Sequence, residues 1–333
     1  MSYVIYPLAF DTAVHFAAAG RGGRLDEAGA EYGADTLFSA LCAELAAVGE
    51  MDALTRLHER VAARELLFSD LLPWRVDAAG EMEFYVPRPV LRIEGTGEPH
   101  ANFVETCSRA TERKKQKSMK YLRASQMADY VTAMRTGAPF SSVAEFGTAS
   151  LRQRVNTREA EPLPYYVGQF DFHRDAGLYL LASVRHAEDV DFLRDLLTWL
   201  GLSGLGGKRT SGFGKCHMAE DELVLDADGI YADDAALYAM LHAADAPWQM
   251  TIAPVVPTVE DLSCVKEGAY RLRRAGGFLT APRHAAAKKN SVHLIDTGSC
   301  LRTRISGSLA VLCEHDGHPV WRYGFGLYLG VTA

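Results

Sequence analysis

The sequence predicts a mixed α+β fold, and three observations carry the prediction. Short apolar stretches rich in β-branched and aromatic residues, typical of strands, recur along the chain. Between them lie segments whose apolar residues return at helical spacing. The chain has 333 residues, of which 48% are hydrophobic, so it can build ordinary cores for two domains.

The first elements follow in order from these patterns. Residues 3–10 read as an opening strand, and Asp35 is expected to be the N-cap of a helix that ends at Gly49. This helix would bury one face, made of Leu37, Leu41, Leu45 and Val48. A second helix is expected over residues 52–64, and strands over 66–74 and 82–86.

Residues 93–146 break the pattern and predict a basic insertion that projects from the domain. Seven cations against Glu112 occupy its central part, namely Arg109, Arg113, Lys114, Lys115, Lys117, Lys120 and Arg123. A short helix is expected around 124–134. Long polar excursions of this kind are more often functional than part of a core.

The middle of the chain completes one predicted domain over residues 1–220. A hairpin is expected from residues 165–172 and 178–185, followed by a helix whose apolar residues run from Val190 to Leu200. A glycine-rich loop and a strand over 213–218 come next. This order predicts a ferredoxin-like (RRM-like) sandwich with insertions. Residues 221–333 are expected to form a second, degenerate ferredoxin-like domain.

The charge of the chain is unevenly distributed. The net charge of −7 argues against a protein that coats nucleic acid with its whole surface, although it permits a local basic groove. A second group of cations follows residue 270, namely Arg271, Arg273, Arg274, Arg283, Lys288 and Lys289. The chain shows neither a run of eighteen apolar residues nor a signal-peptide pattern at its start, so we expect a cytoplasmic protein without membrane contact.

The glycine-rich loop, residues 201–215, holds six glycines around Lys208 and Arg209. Glycines allow close approach of a ligand to the backbone, and the two cations suit a phosphate. A Walker A loop is excluded, because Leu202 and Arg209 stand where it needs Gly and Ser/Thr, and because this loop leaves a helix rather than entering one. The correctly spaced Rossmann pattern is also missing. The loop is therefore expected either to bind a nucleic-acid backbone or simply to form a tight helix-to-strand connection.

The sequence contains few patterns that indicate a catalytic or cofactor site. The cysteines and histidines lack metal-ligand spacing, so we expect no metal, cofactor or small-molecule substrate. Metal-independent RNA cleavage would need a general base and a general acid near a 2′-OH group. His15 is the best candidate for such a role, and nothing in the sequence pairs it with a second group.

The segment Gly204-Leu-Gly-Gly-Lys-Arg-Thr-Ser-Gly-Phe-Gly-Lys215 closely resembles the glycine loop of the RAMP subunits of CRISPR systems. Further segments are similar to one RAMP family, the fourth subunit of the type III-A Csm effector complex. They are residues 35–41, 177–181, 273–278, 297–300 and 319–327, and they follow the family's order over nearly the whole chain. Around residues 152–158 only Asn156 and Arg158 match the family pattern.

The resemblance implies a non-catalytic subunit that clamps the 5′ handle of the CRISPR RNA in antiviral defence. It also implies two protein partners, the large polymerase- or cyclase-like subunit and a RAMP backbone subunit, and a thumb-like element, here assigned to the 93–146 insertion. The expected RNA-binding residues are Gly204, Gly206, Gly207, Lys208, Arg209, Thr210, Ser211, Gly212, Lys215, His15, Lys114, Lys115, Lys117, Lys120 and Arg158. Two alternatives stay open: a RAMP endoribonuclease that processes repeat RNA, and an adaptor that contacts proteins only.

Overall fold

A computed structural model describes residues 1–17, 24–94, 103–142, 145–156, 162–279, 288–315 and 317–333. The first elements are β1 (Ser2–Phe10), α1 (Ala34–Val48), α2 (Met51–Ala62), β2 (Leu66–Val76), β3 (Met82–Pro87), α3 (Phe103–Ser118), β4 (Tyr121–Arg123) and α4 (Met127–Thr136). They are followed by β5 (Gly147–Asn156), β6 (Leu163–Phe172), β7 (Ala176–Val184), α5 (Glu188–Ser203), β8 (Cys216–Met218) and β9 (Leu223–Val224). The last part contains α6 (Ala232–His242), β10 (Trp248–Thr251), α7 (Leu262–Val265), β11 (Leu272–Ala275), β12 (Val292–Ile295), β13 (Cys300–Leu301), β14 (Ala310–His315), β15 (His318–Arg322) and β16 (Tyr328–Val331).

The largest sheet orders its strands β4-β3-β2-β7-β1-β8, and β9 also pairs with β1. All neighbours in this sheet are antiparallel. Strand β7 lies at its centre between β1 and β2, and every residue of β7 is buried. This burial explains why its sequence is apolar at almost every position instead of alternating. The prediction of a mixed fold with antiparallel strands is confirmed.

Helix α1 packs a stripe made of Leu37, Leu41 and Leu45 into the core, as its spacing predicts. Val48, predicted for the same face, lies in the last turn and is exposed. Its start differs from the prediction. Gly33 is the N-cap, and the amide of Ala34 donates to a carboxylate oxygen of Asp70 on β2, at 2.8 Å. Asp35 lies inside the first turn and is fully buried. The prediction that Asp35 caps the helix is therefore wrong.

Asp35 instead joins distant parts of the chain. Its carboxylate contacts the guanidinium groups of Arg322 at 2.6 Å and Arg273 at 3.2 Å. Arg273 also contacts Asp296, at 3.1 Å. A buried carboxylate without a counter-charge is very costly, so pairing with these two arginines prevails over a local cap.

The 93–146 segment is partly built into the fold. Strand β4 extends the main sheet beyond β3, and α4 buries Met127, Tyr130 and Met134. Helix α3, which the loosened pattern did not reveal, carries most of the basic run.

Strands β5 and β6 form a separate two-stranded sheet. Their ten-residue ladder runs from Gly147 opposite Phe172 to Asn156 opposite Leu163. The predicted pairing of 165–172 with 178–185 is thus wrong, because the fully apolar β7 takes the centre of the main sheet. The name "β5–β6 hairpin" is kept below for residues 147–156 and 162–172.

The C-terminal part contributes a sheet of order β13-β10-β16, against which α6 packs. Its residues Met250 and Ile252 belong to the same hydrophobic core as the main sheet. Tyr323 also joins this core, and its hydroxyl accepts from the amide of Phe68 at 2.8 Å. The division of the chain at residue 220 stays a prediction. None of the helices formed by the described residues has the length and apolar character needed to cross a membrane.

Candidate nucleic-acid interface

The glycine-rich loop lies directly against the segment that follows β1. Gly204 and Gly206 have φ angles of +91° and +87°, which L side chains rarely adopt. A Cβ on Gly206 would lie 2.6 Å from the ring of Phe16, and one on Gly207 would lie 2.7 Å from Cδ2 of His15. The glycines therefore serve a close contact between the loop and residues 15–16.

The amide groups of the loop are largely engaged inside the protein. Leu205 donates to the carbonyl of Gly214 at 2.8 Å, and Gly214 donates to that of Ala13 at 2.9 Å. The amide of Gly207 donates to the carbonyl of His15, also at 2.9 Å. Those amides cannot at the same time surround an anion, so side chains have to supply most of the positive charge for a phosphate.

The two central cations of the loop have different surroundings. Lys208 has a φ of 61°, and its Nζ lies 5.6 Å from the ring centroid of Tyr165 on the β5–β6 hairpin. Arg209 contacts a carboxylate oxygen of Glu44 on α1 at 3.3 Å. Solvent reaches the remaining predicted loop residues, Thr210, Ser211, Gly212 and Lys215. Lys208 is thus placed for a ligand that follows the hairpin, whereas the charge of Arg209 is partly neutralised.

His15 is almost completely buried at the edge of this loop. Its Nδ1 lies 2.7 Å from the carbonyl oxygen of Gly168 on the hairpin. Because a carbonyl only accepts, Nδ1 must carry the hydrogen, and Nε2 is the nitrogen that remains for a ligand.

A cavity of about 800 Å³ opens beside the glycine loop. Gly206, Gly207 and His15 line one side of it, and Lys117 and Lys120 enter from the end of α3 and the turn that follows. Three further cations line its wall without having a predicted role, namely Arg88, Arg271 and Arg273. The cavity therefore collects cations from segments that are far apart in sequence.

Aromatic and acidic side chains complete the wall of the cavity. The aromatic residues are Phe16, Tyr32 and Tyr121, and the acidic ones are Glu31, Asp70 and Asp296. Each acid contacts protein groups: Glu31 pairs with Lys120 at 3.0 Å, and Asp296 pairs with Arg273 at 3.1 Å.

Asp70 accepts from the hydroxyl of Thr297 at 2.6 Å as well as from Ala34. Burial raises the pKa of Asp70 to about 7, although both hydrogen bonds and the nearby Arg273 act in the opposite direction. Around neutral pH a proton therefore cancels part of the negative charge in the wall.

The structure thus brings together five of the predicted residues in one cavity: Gly206, Gly207, His15, Lys117 and Lys120. Lys114 and Lys115 are exposed on α3 and do not line the described cavity. Arg158 lies outside the described residues. The cluster of cations after residue 270 was the available signal for Arg271 and Arg273, whereas Arg88 had none.

Comparison with known proteins finds similarity to CRISPR Csm4 proteins. The family model of the CRISPR Csm4 C-terminal domain matches residues 244–331. The CRISPR system Cms protein Csm4 of Mycobacterium tuberculosis is 29% identical over 304 residues, which cover 90% of this chain and 89% of that protein. The Csm4 protein of Streptococcus thermophilus is 24% identical, with 98% of both chains covered.

Solved structures agree with the curated relatives. A chain of the Csm3–Csm4 subcomplex from the type III-A CRISPR-Cas interference complex aligns over 100% of both chains, with a TM-score of 0.60 and 12% identity. A chain of the Csm1–Csm4 cassette in complex with AMPPNP aligns over 99% of this chain and 98% of its own length, with a TM-score of 0.57 and 17% identity. At these identities the structural matches establish a shared fold. The resemblance to the fourth subunit of the Csm complex is confirmed.

Proposed function

We propose that this chain serves as the Csm4 subunit of a type III-A CRISPR Csm complex and holds the 5′ handle of the CRISPR RNA. One observation carries the proposal: cations from α3, from the end of β3 and from the C-terminal part converge on the cavity beside the glycine loop. Such a cavity gives an acidic protein one local site for phosphates. The similarity to Csm4 proteins supports CRISPR RNA as the ligand.

Within this site, the cations and the glycine loop have separate roles. Lys117, Lys120 and Arg271 neutralise phosphates, and Lys208 extends the positive path toward the β5–β6 hairpin. Gly206 and Gly207 hold the loop against Phe16 and His15, which line the same cavity. The hairpin, which forms its own sheet, replaces the whole 93–146 segment as the thumb-like element, because β4 and α4 of that segment pack into the fold.

The proposed protein partners follow from the relatives. Solved Csm4-like chains occur in a Csm1–Csm4 cassette and in a Csm3–Csm4 subcomplex. We propose that this chain likewise bridges the large subunit, Csm1, to the backbone subunit, Csm3.

The proposal extends to the finer description of the fold. A ferredoxin-like unit has four strands, with one helix after the first strand and another before the last. The corresponding strands here are β1, β2, β7 and β8 in chain order, and they lie in the spatial order β2-β7-β1-β8. Helices α1 and α5 occupy those two positions in the chain. The sheet β13-β10-β16 with α6 is proposed as the degenerate second copy.

Binding of a synthetic handle RNA to the purified chain tests the RNA site. We expect Lys117→Ala combined with Arg271→Ala to weaken binding by about 1–3 kcal/mol and to reduce the salt dependence by roughly one unit per cation. The control variant, Arg174→Ala with Lys266→Ala, removes two exposed cations that do not line the described cavity. If both variants bind the handle RNA with the affinity of the wild type, the cavity is not part of the RNA site.

The proposed subunit is not an enzyme, and a processing assay tests this part separately. Repeat RNA incubated with the chain without partner subunits should stay intact. Cleavage that disappears in His15→Ala would instead support the endoribonuclease alternative, with Nε2 of His15 as the acting nitrogen.

A further inference from the structure

The acidic residues in the wall of the cavity differ in how fully the protein engages them. Both carboxylate oxygens of Asp70 accept hydrogen bonds from other segments of the chain. Those of Asp296 lie beside two arginines, at 3.1 and 3.8 Å. These two acids are thus held by the protein itself and are only partly exposed, whereas Glu31 is exposed to solvent.

Glu31 has one partner among the described residues, the ammonium group of Lys120. Its Oε1 lies 3.0 Å from Nζ of Lys120, and the two side chains are 43% and 75% exposed. Its Oε2 has no hydrogen-bond partner in the part of the chain that the structure describes. An exposed ion pair of this kind contributes little to stability. The stability of the fold therefore does not explain why an acid occupies this position.

The backbone that carries the pair is fixed on both sides of the cavity. Glu31 directly precedes Tyr32, which forms a bridge with Leu71 on β2. Lys120 directly precedes β4, and its carbonyl accepts from the amide of Arg88 at 3.0 Å. The cation and the acid are therefore presented to a ligand side by side, from two anchored segments.

The negative charge of Glu31 acts inside the cavity. Burial raises the pKa of the Tyr121 hydroxyl well above its usual value, and the charge of Glu31 adds more to this shift than any other acid. A phosphate held by Lys120 would meet the same charge. Because an ionised carboxylate only accepts hydrogen bonds, it is unfavourable beside a phosphate unless the ligand donates a hydrogen to it.

RNA offers two kinds of donor, the ribose 2′-hydroxyl and the N–H groups of the bases. The 2′-hydroxyl belongs to the same sugar that carries the phosphate, so it lies near a cation that holds this phosphate in every sequence. Base edges point away from the backbone, and their donors differ from base to base. An acid directly beside a phosphate-binding cation therefore matches a 2′-hydroxyl better than a base.

We infer that Glu31 accepts a hydrogen bond from a ribose 2′-hydroxyl next to a phosphate held by Lys120, and thereby makes the cavity selective for RNA. This role of Glu31 rests on the proposed function, because it belongs to the same RNA site. The three hydrogens of the Lys120 ammonium group allow it to contact Glu31 and the phosphate together. Such a contact distinguishes RNA from DNA without reading the sequence.

Two synthetic strands of the handle sequence measure this contact in binding titrations with the full chain. One strand is RNA, and in the other fluorine replaces every 2′-hydroxyl, which removes the donor and keeps an RNA-like sugar pucker. Both strands carry the same phosphates and bases, so the ratio of their affinities isolates the 2′ position.

Three variants are compared with the wild type. Glu31→Ala removes the acceptor, and Glu31→Gln keeps an acceptor oxygen without the charge. The matched control is Asp26→Ala, because Asp26 forms a similarly exposed ion pair, with Arg24 at 2.9 Å, and does not line the described cavity.

We expect Glu31→Ala to reduce the ratio of RNA affinity to 2′-fluoro affinity about five- to tenfold relative to the wild type. Glu31→Gln should give an intermediate ratio, and Asp26→Ala should stay within about twofold of the wild type. The affinity of Glu31→Ala for the 2′-fluoro strand should be equal to that of the wild type or higher, since the variant removes a negative charge. This strand therefore also reports that the variant is folded.

An unchanged ratio in Glu31→Ala overturns the inference. An equal gain in affinity for both strands would mean that Glu31 only repels phosphates, and an equal loss would mean that it contacts a base or supports the wall. A wild-type chain that binds neither strand refutes the proposed RNA site as well. Binding of both strands with a ratio that Glu31→Ala leaves unchanged refutes the role of Glu31 alone.

Discussion

Replacing Asp70 by Asn tests whether burial raises the pKa of this carboxyl group in the wall of the cavity. In the folded chain Asp70 accepts hydrogen bonds from Ala34 and Thr297, and burial raises its pKa from 3.8 to about 7. Asn has the same shape, still accepts from the amide of Ala34, and can donate to the hydroxyl of Thr297. The substitution therefore removes the titration and keeps the contacts.

The expected effect follows from the number of protons bound in each state. In the unfolded chain Asp70 releases its proton near pH 3.8, whereas in the folded chain it keeps the proton up to about pH 7. Between these values the folded state binds more protons, so the free energy of unfolding of the wild type falls as the pH rises. The shift of roughly 3 pKa units corresponds to about 4 kcal/mol in total, of which roughly 3 kcal/mol is lost between about pH 5 and pH 8.

Urea unfolding of the wild type and Asp70→Asn at several pH values measures this difference. We expect the variant to gain roughly 3 kcal/mol relative to the wild type on going from about pH 5 to pH 8, with the change levelling off above pH 7. A difference that does not depend on pH would refute the reasoning. A difference of opposite sign would mean that Arg273 and the hydrogen bonds outweigh burial and lower the pKa of Asp70.

Two further predictions concern the buried ion pairs and the glycine loop. Asp35→Ala should lower the free energy of unfolding by about 3–5 kcal/mol, because it leaves Arg273 and Arg322 without their shared carboxylate. Addition of Arg322→Met should recover part of the loss, and a loss below about 1 kcal/mol would contradict the role of the pair. Gly206→Ala should weaken handle RNA binding more than Gly212→Ala, since both have positive φ but a Cβ meets Phe16 only at Gly206. Equal RNA affinities of the two variants in a binding titration would show that the contact between Gly206 and Phe16 is not part of the RNA site.

Local patterns in the sequence predicted much of the main sheet. The periodicity of Leu37, Leu41 and Leu45 identified the buried stripe of α1, and the opening strand was placed within one or two residues. The predicted helix of residues 52–64 corresponds to α2. Such elements are encoded by neighbouring residues, which is why a single sequence reveals them.

The errors share one physical origin, which is contacts between distant residues. Asp35 resembles an N-cap in its local sequence, but Arg273 and Arg322 determine where its carboxylate lies. Similarly, β6 was expected to pair with the next strand along the chain, whereas the long ladder with β5 prevails. Arg88 carries no local signal at all, and its position in the cavity depends on the complete fold.

The glycine-rich loop shows that the same residues can serve a role other than holding an anion with backbone amides. Its glycines suggested an anion held by successive amide groups, yet the amides of Leu205, Gly207 and Gly214 bond to protein carbonyls. The glycines act through shape instead, since a Cβ at position 206 or 207 would push Phe16 or His15 out of place. Because these amides are engaged, the attraction to RNA in the proposed site comes from side chains, those of other segments together with Lys208. The proposed site is therefore complete only after α3 and the C-terminal part have packed around the same cavity.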